Sequence, residues 1–185
     1  MNAEDIRKIK NEILRGKNIN LRIATERDAA FILELRLNET LNKFIGKTDP
    51  SEEVQKKWIQ KAYERNNDFH FIIEDKNSNP FGTVALYNIN FETGVAEWGR
   101  WVMKPNVAVY FSVESMILIL WFAFRKIGLK KLEGGANNKN VPVVNFHKMY
   151  AAVTHVDETH TFFTFDDANF LKALRIFKKF HSINF

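Results

Sequence analysis

Between Val95 and Gly128 the hydrophobic period of the chain changes from strand type to helix type. VAEWGRWVMKP reads as a strand ending at Pro105, NVAVYF as an irregular link, and SVESMILILWFAFRKIG as a helix apolar on nearly every face. A further strand signal, LKKLEGGA, and a second helix from Asn140 to about Ala151 follow. A strand that passes through a short link into a helix aims backbone N–H groups and the positive end of the helix dipole at one spot, which suits an anion. Units of this kind hold ligands at the carboxyl ends of their strands.

Upstream, a lead-in helix is expected from about Glu4 to Leu14, ended by Gly16, then a strand at Ile19 to Ile23. Thr25 and Asp28 have capping-box spacing, and Phe31, Ile32 and Leu35 supply the apolar stripe of the helix they start. Asp49 as cap, Pro50 at the first helical position and Glu52 in the first turn predict the next helix, with Val54, Trp58, Ile59 and Ala62 on one face. Between the two lies NETLNKFIGKT, an aperiodic link well placed for substrate contacts. Strand period then takes over in FHFIIE and TVALYNI, separated by the turn DKNSNPFG and followed by the turn NFETG. With the strand ending at Pro105 these make an antiparallel meander. The tail reads as a final hairpin turning at Asp166 and Asp167, with FLKALRIFKKF also suited to a helix. The expected fold is a single α/β domain over residues 1–185, with a mixed, mostly antiparallel sheet of six to seven strands flanked by helices.

Composition narrows the chemistry. At 185 residues, 45% hydrophobic, the chain supports one well-filled core. It has no cysteine, which excludes a disulfide framework, thiolate metal sites and a cysteine nucleophile. The opening segment is charged throughout and the longest apolar run, Met116 to Phe124, is far below the roughly 20 residues that span a bilayer, so a cytoplasmic protein without membrane contact is expected. A net charge of +5 suits a phosphorylated small molecule as well as a nucleic acid. No Ser/His/Asp spacing, metal-ligand cluster or phosphate-binding glycine loop is present, so neither a resident metal nor a nucleic-acid partner is expected.

GTVALYNINFETGVAEWGRWV, FAFRKIGLKKLEG and NVPVVNFHKMY, in this order of elements, resemble the GNAT superfamily of N-acyltransferases over nearly the whole chain. AEWGRWV and the FAF-x-x-x-GL helix end are most similar to members that acylate the amino group of a nucleotide-linked amino sugar. The resemblance implies a V-shaped split where the strand ending near Met103 leaves the one containing Leu132. It also implies acetyl-CoA or another short acyl-CoA, such as a hydroxyacyl-CoA, as co-substrate, and leaves a homodimer among the expected assemblies.

The resemblance also implies roles for residues. The pantetheine arm would pair with backbone of Trp101, Val102 and Met103, and the pyrophosphate would meet Lys104, Val109, Tyr110, Phe111 and Ser112, with Asn140 completing the cofactor set. The segment from Lys104 to Ser112 has no glycine, whereas the family usually has glycines there. Glu97 is the candidate general base, with pairing to Arg100 as the structural alternative. His147 occupies the place of the general-acid tyrosine of relatives, as an imidazolium donor to the thiolate, and Tyr150 is its substitute. Tyr87 and Trp101 are candidates to stack on a sugar or base, and His155 and His160 to reach the acceptor; His70 carries no assigned role. Trp98, Trp121, Phe122 and Phe124 read as core. Direct attack of the amine on the thioester is expected, a backbone N–H near Val102 polarising the carbonyl. The alternatives are an N-acetyltransferase of a protein N-terminus or polyamine, and a catalytically degenerate acyl-CoA-binding module.

Overall fold

The computed structural model describes residues 1–182. Helix α1 (Ala3–Lys10) is capped by Asn2 in a reciprocal capping box with Asp5. It stops four residues short of the expected end, because Leu14 is drawn into the sheet as the short strand β1 (Leu14–Arg15), which pairs with β2 (Ile19–Ile23). The Lys10 ammonium donates to the carbonyls of Tyr63 and, at 2.6 Å, Arg65, tying α1 to the carboxyl end of α3. The Thr25 and Asp28 box is formed, but it opens a single 3-10 turn (Glu26–Asp28) ahead of α2 (Ala29–Leu37). Helix α3 (Glu52–Glu64) begins two residues later than expected. Its cap is Ser51, whose hydroxyl accepts from Val54 N–H, while Asp49 Oδ1 accepts from Ser51 N–H at 2.8 Å.

The meander forms as β3 (Phe69–Asp75), β4 (Pro80–Asn90) and β5 (Val95–Met103). Helix α4 (Val109–Trp121) continues into a π-helical turn at Phe122–Lys126, in which Ile127 N–H bonds Phe122 O at 3.0 Å. Strand β6 (Lys131–Asn137) and helix α5 (Val141–Lys148) complete the central unit. The final hairpin is β7 (Ala152–Val156) with β8 (His160–Phe165), and it turns at Asp157 to Thr159, not at Asp166 and Asp167. Asp157 Oδ1 accepts the N–H groups of Thr159 and His160, both at 2.7 Å, which pins that turn. Asp166 instead caps α6 (Asp167–Ile176), which buries Phe170, Ala173 and Leu174 at helical spacing.

The described residues form an eight-stranded sheet in the order β1-β2-β3-β4-β5-β6-β8-β7, antiparallel except for β5 and β6. Helix α4 covers one face, where Phe122 meets Phe69 and Phe71 edge-on at 5.2 Å. Helices α2 and α3 cover the other face around Ala24, Ala29, Ile32, Ile59 and Ile72. Trp98, Phe122 and Phe124 are core residues as expected, and Trp121 packs partly buried against them. No helix among the described residues is long and apolar enough to cross a membrane.

The turn between β1 and β2 is clamped onto α4 by Glu114, almost fully buried, whose carboxylate accepts from the Asn18 backbone N–H at 3.0 Å and its amide at 2.9 Å. A Cβ on Gly16 would lie 2.3 Å from Glu114 Oε1 and 2.8 Å from Leu118 Cδ1. Gly16→Ala is expected to lower unfolding free energy by about 1–3 kcal/mol through overpacking, read as a lower urea midpoint at unchanged slope. An unchanged midpoint would show that the turn yields freely.

Candidate functional site

Strand β5 stays beside β6 for three residue pairs only. Val95, Ala96 and Glu97 face Lys131, Leu132 and Glu133 in parallel register, whereas β4 follows β5 as far as Met103. The β6-facing edge of residues 98–103 therefore has no strand partner in the described sheet. This is the V-shaped split, a place where an extended group can add backbone hydrogen bonds as an extra strand would. His147, on α5, spans it: its ring lies 5.0 Å from Trp98 and 5.9 Å from Trp101 on one side, and 5.2 Å from Phe163 on the other. Beyond Met103 the chain turns through Asn106 at φ 63°, a left-handed conformation in which asparagine does what glycine would do. Helix α4 then starts at Val109, and its cap residue, Ala108, offers no side chain to the first N–H groups.

A bulge in the ladder sets what each face of β5 carries. Between Thr83 and Ala85 the register with β5 slips, and Arg100 takes φ 50°. Trp98 and Trp101, three residues apart, consequently pack with each other, at 5.7 Å, on the side of α4 and α5. Arg100 points to the other face. Its guanidinium binds Asp68, 3% exposed, through two bonds of 2.7 and 3.1 Å, and lies over the rings of Tyr87 at 4.2 Å and Trp58 at 4.8 Å. Tyr87 lies across Gly99, where a Cβ would meet its hydroxyl at 2.8 Å. Beside them Glu97 accepts from the Asn88 amide at 2.7 Å. Burial and the Glu97 charge raise the Tyr87 pKa, so its phenol stays neutral.

Next to Arg100 opens a cavity of about 410 Å³, lined by residues of α2, the link after it, α3 and the β3 to β5 meander, among them Arg36, Lys47, Trp58, His70 and Thr83. Arg36 donates to Thr48 Oγ1 at 2.8 Å and Gly46 O at 3.3 Å. His70 is 6% exposed, and neither ring nitrogen has a hydrogen-bond partner; burial and the nearby arginines push its pKa down to about 3.

The structure brings together Tyr87, Glu97 and the free edge of Trp101 to Met103, and it corrects several expected roles. Glu97 pairs with Asn88, while Arg100 is taken by Asp68. Trp101 is no open stacking platform: its indole N–H donates to Ser115 Oγ at 3.0 Å, on the opposite face from Tyr87. Lys104 turns away from the α4 N-terminus to Glu34 at 3.3 Å and the Phe31 ring, and its backbone N–H is bound to Phe81 O. His147, 7% exposed, does not suit an imidazolium near neutrality, because burial lowers its pKa to about 4. Tyr150 is fully buried and cannot itself meet a ligand; its hydroxyl lies 2.8 Å from His147 Nδ1. His155 sits on the edge strand β7, stacked on Phe162, with β6 and β8 between it and β5. Val109 and Tyr110 are exposed at the helix start, Phe111 N–H closes onto Ala108 O at 2.9 Å, and Ser112 and Asn140 are half-buried. Sequence reasoning missed Arg36, Asp68 and the place of His70. A histidine inside the apolar run FHFIIE was the one signal available.

Two buried neutral histidines make stability depend on pH. Between pH 6.5 and about 4 the unfolded chain protonates both imidazoles and the native state does not, so each withdraws about 1.4 kcal/mol per pH unit as the solution is acidified. Urea midpoints should fall from pH 7 to 5, and the fall should shrink in His70→Phe and in His147→Phe; equal slopes in all three proteins would mean these imidazoles titrate normally.

A model of the acetyltransferase (GNAT) domain matches residues 18–150. Among solved structures, apo FdhC, described as a nucleotide-linked sugar GNAT, is 28% identical with a TM-score of 0.82, covering 93% of this chain and 99% of that one. A mutant of the spermidine N-acetyltransferase SpeG from Vibrio cholerae superposes with a TM-score of 0.72 at 18% identity, covering 83% of this chain and 96% of that one. A GCN5-related N-acetyltransferase from Brucella melitensis has the same TM-score and identity, with 91% and 85% covered. A search of curated proteins finds no match. The family match takes in the whole of the β5, α4, β6 and α5 unit, and with it the chain belongs to the GNAT acetyltransferases, whose co-substrate is acetyl-CoA.

Proposed function

We propose that the protein moves an acetyl or short hydroxyacyl group from acyl-CoA to the amino group of a nucleotide-linked amino sugar by direct attack. The observation that carries this reading is the sign of the cavity beside the split: Arg36 and Lys47 line it next to Arg100, which Asp68 neutralises, and Asp49 is the carboxylate at its mouth. Such a lining favours an anionic acceptor and disfavours a polyamine. The relative described as a nucleotide-linked sugar GNAT supports the same class.

In this reading the pantetheine lies along the free edge of Trp101 to Met103, and the pyrophosphate meets the N–H groups of the first helical residues, Val109 and Tyr110. The acceptor enters from the face of Tyr87 and Arg100. Glu97, oriented by Asn88, takes the proton from the ammonium directly or through water. The amine nitrogen bonds to the thioester carbon, the backbone near Val102 polarises the carbonyl, and the C–S bond then breaks. His147 acts as a neutral imidazole. With Tyr150 O–H donating to Nδ1, the imidazole proton is left on Nε2, available to the departing sulfur. A thiolate of ordinary pKa near 8.5 needs only this much help.

A screen of nucleotide-linked amino sugars against acetyl-CoA and hydroxyacyl-CoA, followed by free thiol release, tests the acceptor class. Thiol release with spermidine alone would overturn it. His147→Phe keeps an aromatic ring in an aromatic nest and should lower kcat at least tenfold, through loss of an N–H hydrogen bond to the developing thiolate, with thermal stabilisation by acetyl-CoA retained. The wild-type rate should show no imidazole step near pH 6.5; such a step would overturn the neutral role, and activity within twofold in the variant would remove His147 from the chemistry. Intact-mass spectrometry after acyl-CoA alone should show unmodified protein, and an acyl adduct chased off by acceptor would exclude direct attack.

A further inference from the structure

The cavity beside Arg100 is graded from floor to mouth. Ile32, Gln55, His70 and Thr83 on its floor are buried, Arg36 lies half-buried above them, and Lys47, Asp49 and Val54 at the mouth are exposed. Two of these groups are unexplained by packing. His70 keeps a donor and an acceptor nitrogen in a buried place with no partner for either, a loss folded proteins seldom accept. Its ring is held edge-on by Trp58 at 5.5 Å, so it is positioned but unused. Arg36 makes only neutral hydrogen bonds, to Thr48 and Gly46, and forms no ion pair among the described residues. The other guanidinium, Arg100, is already neutralised by Asp68. At the mouth Lys47 is the second cation, and the Asp49 carboxylate is turned to Ser51 N–H through Oδ1.

The floor also has a fixed position along β5. Thr83 stands opposite Val102 in the ladder, on the stretch of β5 that has lost β6. The floor thus lies on the β4 side of β5, one strand's width from that free edge, and the part of an acceptor that reaches it is the part nearest the edge. A volume of about 410 Å³ is near the lower end of small-molecule sites, room for a sugar and its phosphates but not for every part of a nucleotide sugar.

We propose that the acceptor enters sugar first, with His70 reading a donor and acceptor pair on the pyranose ring and Arg36, aided by Lys47, holding the diphosphate, so that the base stays at the mouth. This rests on the nucleotide-sugar reading and adds the orientation of the acceptor and two specificity residues. His70 replaces the partners it lacks with ring hydroxyls, and Arg36 gains the anion that its own fold does not supply.

Isothermal titration of the whole protein with dTDP, dTDP-glucose, UDP and UDP-glucosamine tests it. The diphosphates should bind the wild type, and each sugar-bearing probe should bind more tightly than its parent diphosphate. Arg36→Gln should weaken all four at least tenfold. His70→Phe should leave dTDP and UDP within twofold and remove the extra affinity given by the sugar. Stabilisation by acetyl-CoA in both variants shows that the fold is intact. If the probes bind and neither variant changes their affinity beyond twofold, the assignment is overturned while the nucleotide-sugar reading stands. If none of the four binds the wild type, both are overturned.

Discussion

Asp68 is a carboxylate held almost wholly out of water, and its two bonds to Arg100, with Arg65 as a looser second partner at 3.7 Å, make that position tolerable. Removing one partner of such a pair typically costs about 3–5 kcal/mol, since the other is left buried and uncompensated. The arrangement around it depends on this pairing. Arg100 sits at a left-handed φ of 50°, which a non-glycine residue adopts only when its surroundings impose it. Here the surroundings are the carboxylate on one side and the Tyr87 and Trp58 rings on the other. The bulge this fixes shifts the phase of β5 by one residue. Trp101 is thereby sent to α4, and Arg100 to the cavity.

The same strand carries a second constraint at its other edge. Pairing with β6 ends at Glu97, so the next six residues are bonded on one side only. An edge of that kind inside a sheet is a template for an added strand. The helix that follows points its uncapped N-terminus back to the end of the same edge. A chain without glycine in the intervening link still makes the turn because Asn106 tolerates the left-handed region.

The meander, the parallel crossover and the helix from Asn140 were legible because hydrophobic period and turn residues report local structure directly. What misled were positions where tertiary contacts outweighed local signals. Leu14 continues a helical pattern but is more stable buried beside Leu21 in β1. Asp166 is as good a turn residue as a helix cap, and the apolar spacing of Phe170, Ala173 and Leu174 decides for the cap. In the site, Glu97, Tyr87 and the Trp101 to Met103 edge could be placed from their strand. The bulge could not, since nothing in AEWGRWV says which residue will be extra, and Trp101, which follows it, is therefore expected on the acceptor side and found on the other. Asp68 and Arg100 are too far apart in sequence for any spacing rule to join them.

The phase shift also separates two electrostatic environments across one strand. On the α5 side His147 lies among Trp98, Trp101, Phe163 and Phe165, a setting that keeps its imidazole neutral and its partner Tyr150 fully protonated. On the other side stand Glu97, Arg36 and Arg100, with Lys47 at the cavity mouth. Acyl transfer to an amine needs both. A charged acceptor is collected and loses its proton where charge is tolerated, while the thioester and its sulfur benefit from a drier setting in which a single neutral N–H counts for more than it would in water. Because one bulged strand is the wall between them, the two settings can stand within a strand's thickness of each other without the arginines ever facing the imidazole.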